Sequence, residues 1–113
     1  MSKTLTEWQY DVWKVSEDHG FHAAEINSID TKLMLIVSEL AEAQDEIRSG
    51  HGPTEVYYKS EEPDKPEGFP VELADALIRI LDLAEIVGID IAAMVDLKTA
   101  YNETRPYLHG RKF

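Results

Sequence analysis

Apolar residues recur along this chain at helical spacing in four stretches. Leu5, Trp8, Val12 and Val15 fall at i, i+3, i+7 and i+10, which predicts a helix from about Thr4 to Asp18, closed by His19-Gly20. Ser28 or Asp30 can cap a second helix, with Leu33, Ile36, Val37, Leu40 and Ile47 as its stripe, and Ser49-Gly50-His51-Gly52-Pro53 stops it. Pro70 suits the first position of a third helix, which carries Leu73, Leu77, Ile80 and Ala84 and ends at Gly88. Asp90 can cap a fourth, from Ile91 to about Asn102. Between the second and third lies a long connection, 49–68, rich in Pro, Gly and charge, in which Thr54 to Tyr58 can run briefly extended. Four short amphipathic helices in sequence predict an all-α, four-helix bundle that buries its stripes together. Trp8 lies on the first stripe and reads as core. Trp13 falls off it and needs another partner, either a dimer interface or a ligand.

The composition narrows the possibilities. With 113 residues the chain (1–113) is read as a single domain with a modest core, for which self-association is a natural way to bury more apolar surface. A net charge of −11 speaks against nucleic acid, whose backbone is bound through Lys and Arg. There is no cysteine, which excludes disulfides and thiolate chemistry. No apolar run has the length of a signal h-region or a membrane span, so no membrane partner is expected and a cytoplasmic location is.

Candidate chemistry lies on the second and third helices. Glu39 and Glu42, with Glu46 one turn further, share one face; Glu72 and Asp75 repeat the plan, with Arg79 and Asp82 beyond. Each acidic face is offset by roughly 120° from its helix's apolar stripe. Helices packed on those stripes would therefore flank a groove with carboxylates from both sides. Crowded carboxylates repel one another unless a cation compensates. Mg²⁺ takes oxygen ligands of this kind, together with waters and phosphate oxygens. On the fourth helix, the face that begins with Ile91, Met94 and Val95 continues with Lys98 and Asn102, and Arg105 follows. A face that changes in this way is either leaving the core or meeting a polar ligand.

Glu39-Leu40-Ala41-Glu42 followed by Glu72-Leu73-Ala74-Asp75 resembles the E-x-x-E…E-x-x-D signature of the MazG-like, all-α nucleoside triphosphate pyrophosphohydrolases. The likeness extends through Val37–Ala43 and Glu72–Arg79 and covers most of the chain; the connection between the two motifs is at the long end for that family. The resemblance implies a MazG-like bundle completed by dimerisation, as a homodimer or a dimer of dimers. It further implies Mg²⁺-dependent hydrolysis of a (deoxy)nucleoside triphosphate to the monophosphate and pyrophosphate, with Mn²⁺ a possible substitute. Glu39, Glu42, Glu72 and Asp75 would be metal ligands, with Glu42 also the general base and Glu46 and Asp82 as outer ligands. Lys98, Asn102 and Arg105 would contact the phosphates, and the basic tail His109–Lys112 could close over the site. Phe21, His19 and His22 would fall near the substrate.

Three alternatives stand beside this reading. A phosphoribosyl-ATP pyrophosphohydrolase shares the fold and the acidic motifs. A di-iron carboxylate bundle would require Glu-x-x-His, yet none of the four histidines has a Glu three residues earlier. A non-enzymatic acidic helical interaction module would leave the paired acidic motifs without a reason.

Overall fold

In the computed structural model, residues 2–22 and 28–107 are described. They form α1 (Leu5–Asp18), α2 (Ile29–Arg48), a β-hairpin of β1 (Tyr57–Lys59) and β2 (Glu62–Glu67), α3 (Phe69–Val87) and α4 (Ile91–Glu103). The chain is mostly helical, as the apolar spacing predicts. The helix ends are set by local chemistry. Thr4 and Glu7 form a reciprocal capping box at α1, while the Ser28 and Asp90 side chains accept the Thr31 and Ala93 amide N–H groups at α2 and α4. Gly88 closes α3 in the left-handed conformation. No helix among the described residues is long and apolar enough to cross a membrane.

The packing departs from the expected arrangement. α2 lies along α3, α1 also packs on α3, and α4 leans on α1. Of the two expected stripes only Ile36 on α2 and Ala84 on α3 are buried. The other buried side chains are Glu39 and Ala43 on α2, and Ala76 and Leu81 on α3. With Ala43 and Ala76 buried, this packing brings the carboxylate faces of the two helices together. The leucines of the stripes are left outside: Leu33 is 47% exposed, Leu40 48%, Leu73 44% and Leu77 49%.

On α1 only Val12 of the expected stripe is buried, whereas Trp8 is 46% exposed, beneath the Lys3 ammonium. Trp13 finds its partners in Tyr10 and His22. α4 has no buried residue among those described. The radius of gyration is 16.9 Å, against about 13 Å for a compact domain of this length.

Two polar features hold the open arrangement together. Gln9, 6% exposed, clamps α1 to the α3–α4 corner. Its Nε2 donates to the Ile89 carbonyl at 2.7 Å and to Glu85 at 3.1 Å, and its Oε1 accepts from the Ile91 N–H at 3.3 Å. The second feature is the hairpin. The connection that reads as a loop is an antiparallel pair with an irregular register, Tyr57 opposite Glu67 and Lys59 opposite Glu62. The Tyr57 hydroxyl donates to Glu46 near the end of α2 at 2.8 Å, and His51 stacks on the Tyr57 ring at 4.2 Å.

Candidate metal and phosphate site

Because α2 and α3 pack through their small residues, the two acidic motifs meet. Glu39, Glu72 and Asp75 each offer an oxygen, and these three lie within 4.8 Å of one another. Glu39 is nearly buried, and its Oε1 accepts from the Arg79 Nε–H at 2.9 Å. Glu72 stands in the first turn of α3, where the helix dipole favours negative charge. Its Oε2 is buried and has no hydrogen-bond partner among the described residues. Burial, followed by the Glu42 and then the Glu39 carboxylate within hydrogen-bonding reach, pushes the Glu72 carboxyl up to about 8. Asp75 is raised too, first by burial and then by Glu39, with Arg79 and Lys65 pulling it partly back. Glu42 is the exposed member of the group, beside Glu72.

These features fit a hard divalent cation. Three carboxylates from two helices converge, one buried oxygen lacks a donor, and the crowding is only partly offset by Arg79. All the donors are carboxylate oxygens, the set that Mg²⁺, Mn²⁺ or Ca²⁺ accepts and that softer metals do not require.

A cleft of about 400 Å³ opens from Glu39 and Asp75 toward Phe21, His22 and Asp82. At its far end His22 bridges two elements, with Nε2 at 3.2 Å from the Asp82 carboxylate and Nδ1 at 3.2 Å from Glu17. Burial works against protonation of His22, but the hydrogen bonds to Asp82 and Glu17 outweigh it and raise its pKa. Cleft volumes of this order accommodate small-molecule ligands.

The remaining residues singled out from the sequence are placed as follows. Asp82 and Glu46 are engaged by His22 and Tyr57 rather than joining the carboxylate group. Lys98, Asn102 and Arg105 lie on or just past α4, and none lines the cleft. Lys98 and Arg105 both approach the Tyr101 ring instead, at 4.9 and 5.6 Å. His109–Lys112 falls outside the described residues. Arg79 was visible between the acids, but its role as the counter-ion of Glu39 depends on the α2–α3 approach and has no local signal. Tyr57 is likewise found only through its distant partner, Glu46.

No family model, curated protein or solved structure matches this chain.

Proposed function

We propose that the chain is a Mg²⁺-dependent nucleoside triphosphate pyrophosphohydrolase whose working form is a homodimer or a dimer of dimers. The observation that carries this reading is the convergence of Glu39, Glu72 and Asp75 from adjacent helices around a buried, unpartnered Glu72 oxygen. Glu39, Glu72 and Asp75 hold the ion, with Glu42 at its exposed side. The ion, when bound, supplies positive charge to phosphoryl oxygens and neutralises charge developing on them.

The chain's own groups do the rest. Glu42 orients a water and accepts its proton as the water oxygen bonds to phosphorus. The bond between the bridging oxygen and the phosphorus under attack breaks in line, so that monophosphate and pyrophosphate separate. Arg79 fixes the Glu39 carboxylate through its hydrogen bond. The nucleoside occupies the cleft, with its base near Phe21 and His22.

Self-association is supported by the exposed leucine stripes of α2 and α3, which a second copy would cover. Lys98, Asn102 and Arg105 are proposed as phosphate contacts supplied by α4 in that assembly.

The test is pyrophosphate release from a panel of ribo- and deoxyribonucleoside triphosphates, with Mg²⁺, with Mn²⁺ and with chelator. Metal-dependent release from one or two of them supports the reading and names the base. Release from phosphoribosyl-ATP alone moves the assignment to that substrate. Absence of release from all of them, with no metal binding, leaves the acidic interaction module.

A further inference from the structure

Arg79 stands on the acid-bearing side of α3, one turn past Asp75 and one turn before Asp82. Spacings of four and three residues set these side chains in one row along the helix. All three line the cleft. At the rise of an α-helix, Arg79 lies about 6 Å along the axis from Asp75 and about 4.5 Å from Asp82. The cleft therefore runs from the carboxylate group, past a guanidinium, to the His22–Asp82 pair.

The guanidinium is only partly used. Its Nε–H donates to Glu39 Oε1 at 2.9 Å, and the Glu39 side chain is 10% exposed. That bond fixes the group from its inner edge. An arginine kept only to neutralise a carboxylate commonly meets both of its oxygens with two parallel N–H bonds. Here the contact is single. Among the described residues the terminal amino groups, Nη1 and Nη2, donate to no acceptor, and the Arg79 side chain is 43% exposed. Most of its N–H donors are thus unspent at the cleft wall.

The rest of the lining narrows the ligand. Lys32 also lines the cleft, but it precedes Glu39 on α2 by about 10 Å along the axis, toward the end away from the carboxylate group. Arg79, bonded to Glu39, is the cation beside that group. A guanidinium fixed in orientation and offering a fork of free donors matches the oxygens of a phosphate. Leu35, Ile78 and Leu83 add apolar wall.

We propose that Arg79 is a substrate-binding residue that grips the phosphate joined to the nucleoside, with its Nε on Glu39 and its terminal amino groups on the phosphate oxygens. The order along α3 selects that phosphate, since the carboxylate end lies to one side of Arg79 and the nucleoside end to the other. The proposal rests on the substrate and its orientation in the pyrophosphohydrolase reading. It follows that Arg79 holds the monophosphate product, whereas pyrophosphate, bound over the carboxylates, depends on it far less.

The experiment compares wild type, Arg79→Lys and Arg79→Ala by three affinities. The first is for Mn²⁺ alone, by electron paramagnetic resonance. The others are for inorganic pyrophosphate and for the four common deoxynucleoside monophosphates, each with Mg²⁺, by calorimetry. A lysine ammonium can serve Glu39 or the phosphate, but it lacks the planar fork that serves both. Arg79→Lys should bind Mn²⁺ and pyrophosphate within about threefold of wild type and lose about tenfold or more for the best-bound monophosphate, the loss of a charge-assisted contact. Arg79→Ala should show the same selective loss. Arg79→Lys keeps a charge beside Glu39 and decides the matter if Arg79→Ala fails to fold.

Equal losses for Mn²⁺, pyrophosphate and monophosphate would reduce Arg79 to a support for Glu39 and overturn the proposal. Unchanged monophosphate affinity in the variants would overturn it as well. In both cases, turnover of a triphosphate by wild type leaves the pyrophosphohydrolase reading standing. Selective loss of monophosphate binding, in a protein that releases no pyrophosphate from any triphosphate, sustains the Arg79 contact and overturns the hydrolysis. A wild type that binds no monophosphate overturns the contact outright.

Discussion

The Arg79 guanidinium on α3 donates to the Glu39 carboxylate on α2 at 2.9 Å, across the gap that the buried alanines keep narrow. This one bond shows how the two helices are oriented. Their acidic faces look at each other, while Leu33, Leu40, Leu73 and Leu77 stay about half exposed. Arg79 offsets only part of the charge of these acids, and Glu72 is pushed up furthest, first by burial and then by Glu42.

That rise gives the first prediction. A carboxylate kept only for packing should be costly to remove, whereas one kept for a metal should be costly to retain without it. Glu72→Gln is expected to raise the Tm of metal-free protein by roughly 3–6 °C, the response of a small domain to a modest gain in stability. It should also abolish the further rise that Mg²⁺ produces in wild type. Thermal melts of both proteins with and without Mg²⁺ check it. A lower Tm for the metal-free variant would mean that Glu72 supports the fold.

Dependence on pH follows from the same group and from His22. The Glu72 carboxyl rises from 4.5 to about 8, so the folded chain retains a proton that the unfolded chain has released. Its stabilising contribution is full below 4.5 and is lost as pH climbs to about 8. For His22, burial opposes protonation, but Asp82 and Glu17 prevail and raise it above 6.5; its contribution is full below that value and is lost as pH rises through the folded pKa. Metal-free protein should therefore lose stability steadily from about pH 5 to about pH 9. Saturating Mg²⁺ should remove the Glu72 share by holding that carboxylate ionised. His22→Gln should remove what remains. Denaturant titrations across pH resolve the two shares.

The helix ends were legible because their causes are local. Ser28, Asp90 and Gly88 each act within one turn of their own helix. The acidic spacing was legible for the same reason, since i, i+3 on two helices is a property of each helix alone. Which face packs inward was not. α2 offers both a leucine stripe and a small-residue face with Ala43, and only the partner helix, with Ala76 and Ala84, decides between them. Of the hairpin, the extended run Thr54–Tyr58 overlaps only the start of β1; β2 is not legible because it carries two prolines and four charged residues, poor strand formers.

Glu42 is the group assigned to the water. Unlike Glu39 it is exposed and has no cationic partner among the described residues, so exchanging it for Gln disturbs little of the packing. Glu42→Gln should retain the helical circular dichroism signal and lose about 10²–10⁴ in kcat, the usual contribution of a positioned general base. Pyrophosphate affinity with Mg²⁺ should fall far less than kcat. Full turnover in this variant removes Glu42 from the role.

The leucine stripes carry the last prediction. Leu33, Val37, Leu40 and Ile47 on α2, with Leu73, Leu77 and Ile80 on α3, stay more than a third exposed in the single chain. Covering the remainder of each is worth about 1 kcal/mol per side chain, and an isologous contact counts every residue twice. That total exceeds what a small polar crystal-like contact supplies, and it also offsets the loss of rotational and translational freedom on association. Light scattering should accordingly find two or four chains per particle. Leu40→Asp would set two carboxylates into the same interface and should yield monomers with a lower Tm. A wild type that stays monomeric at high concentration, with its melt unaffected by dilution, would show that these stripes serve no second copy and would withdraw the α4 contacts assigned to the assembly.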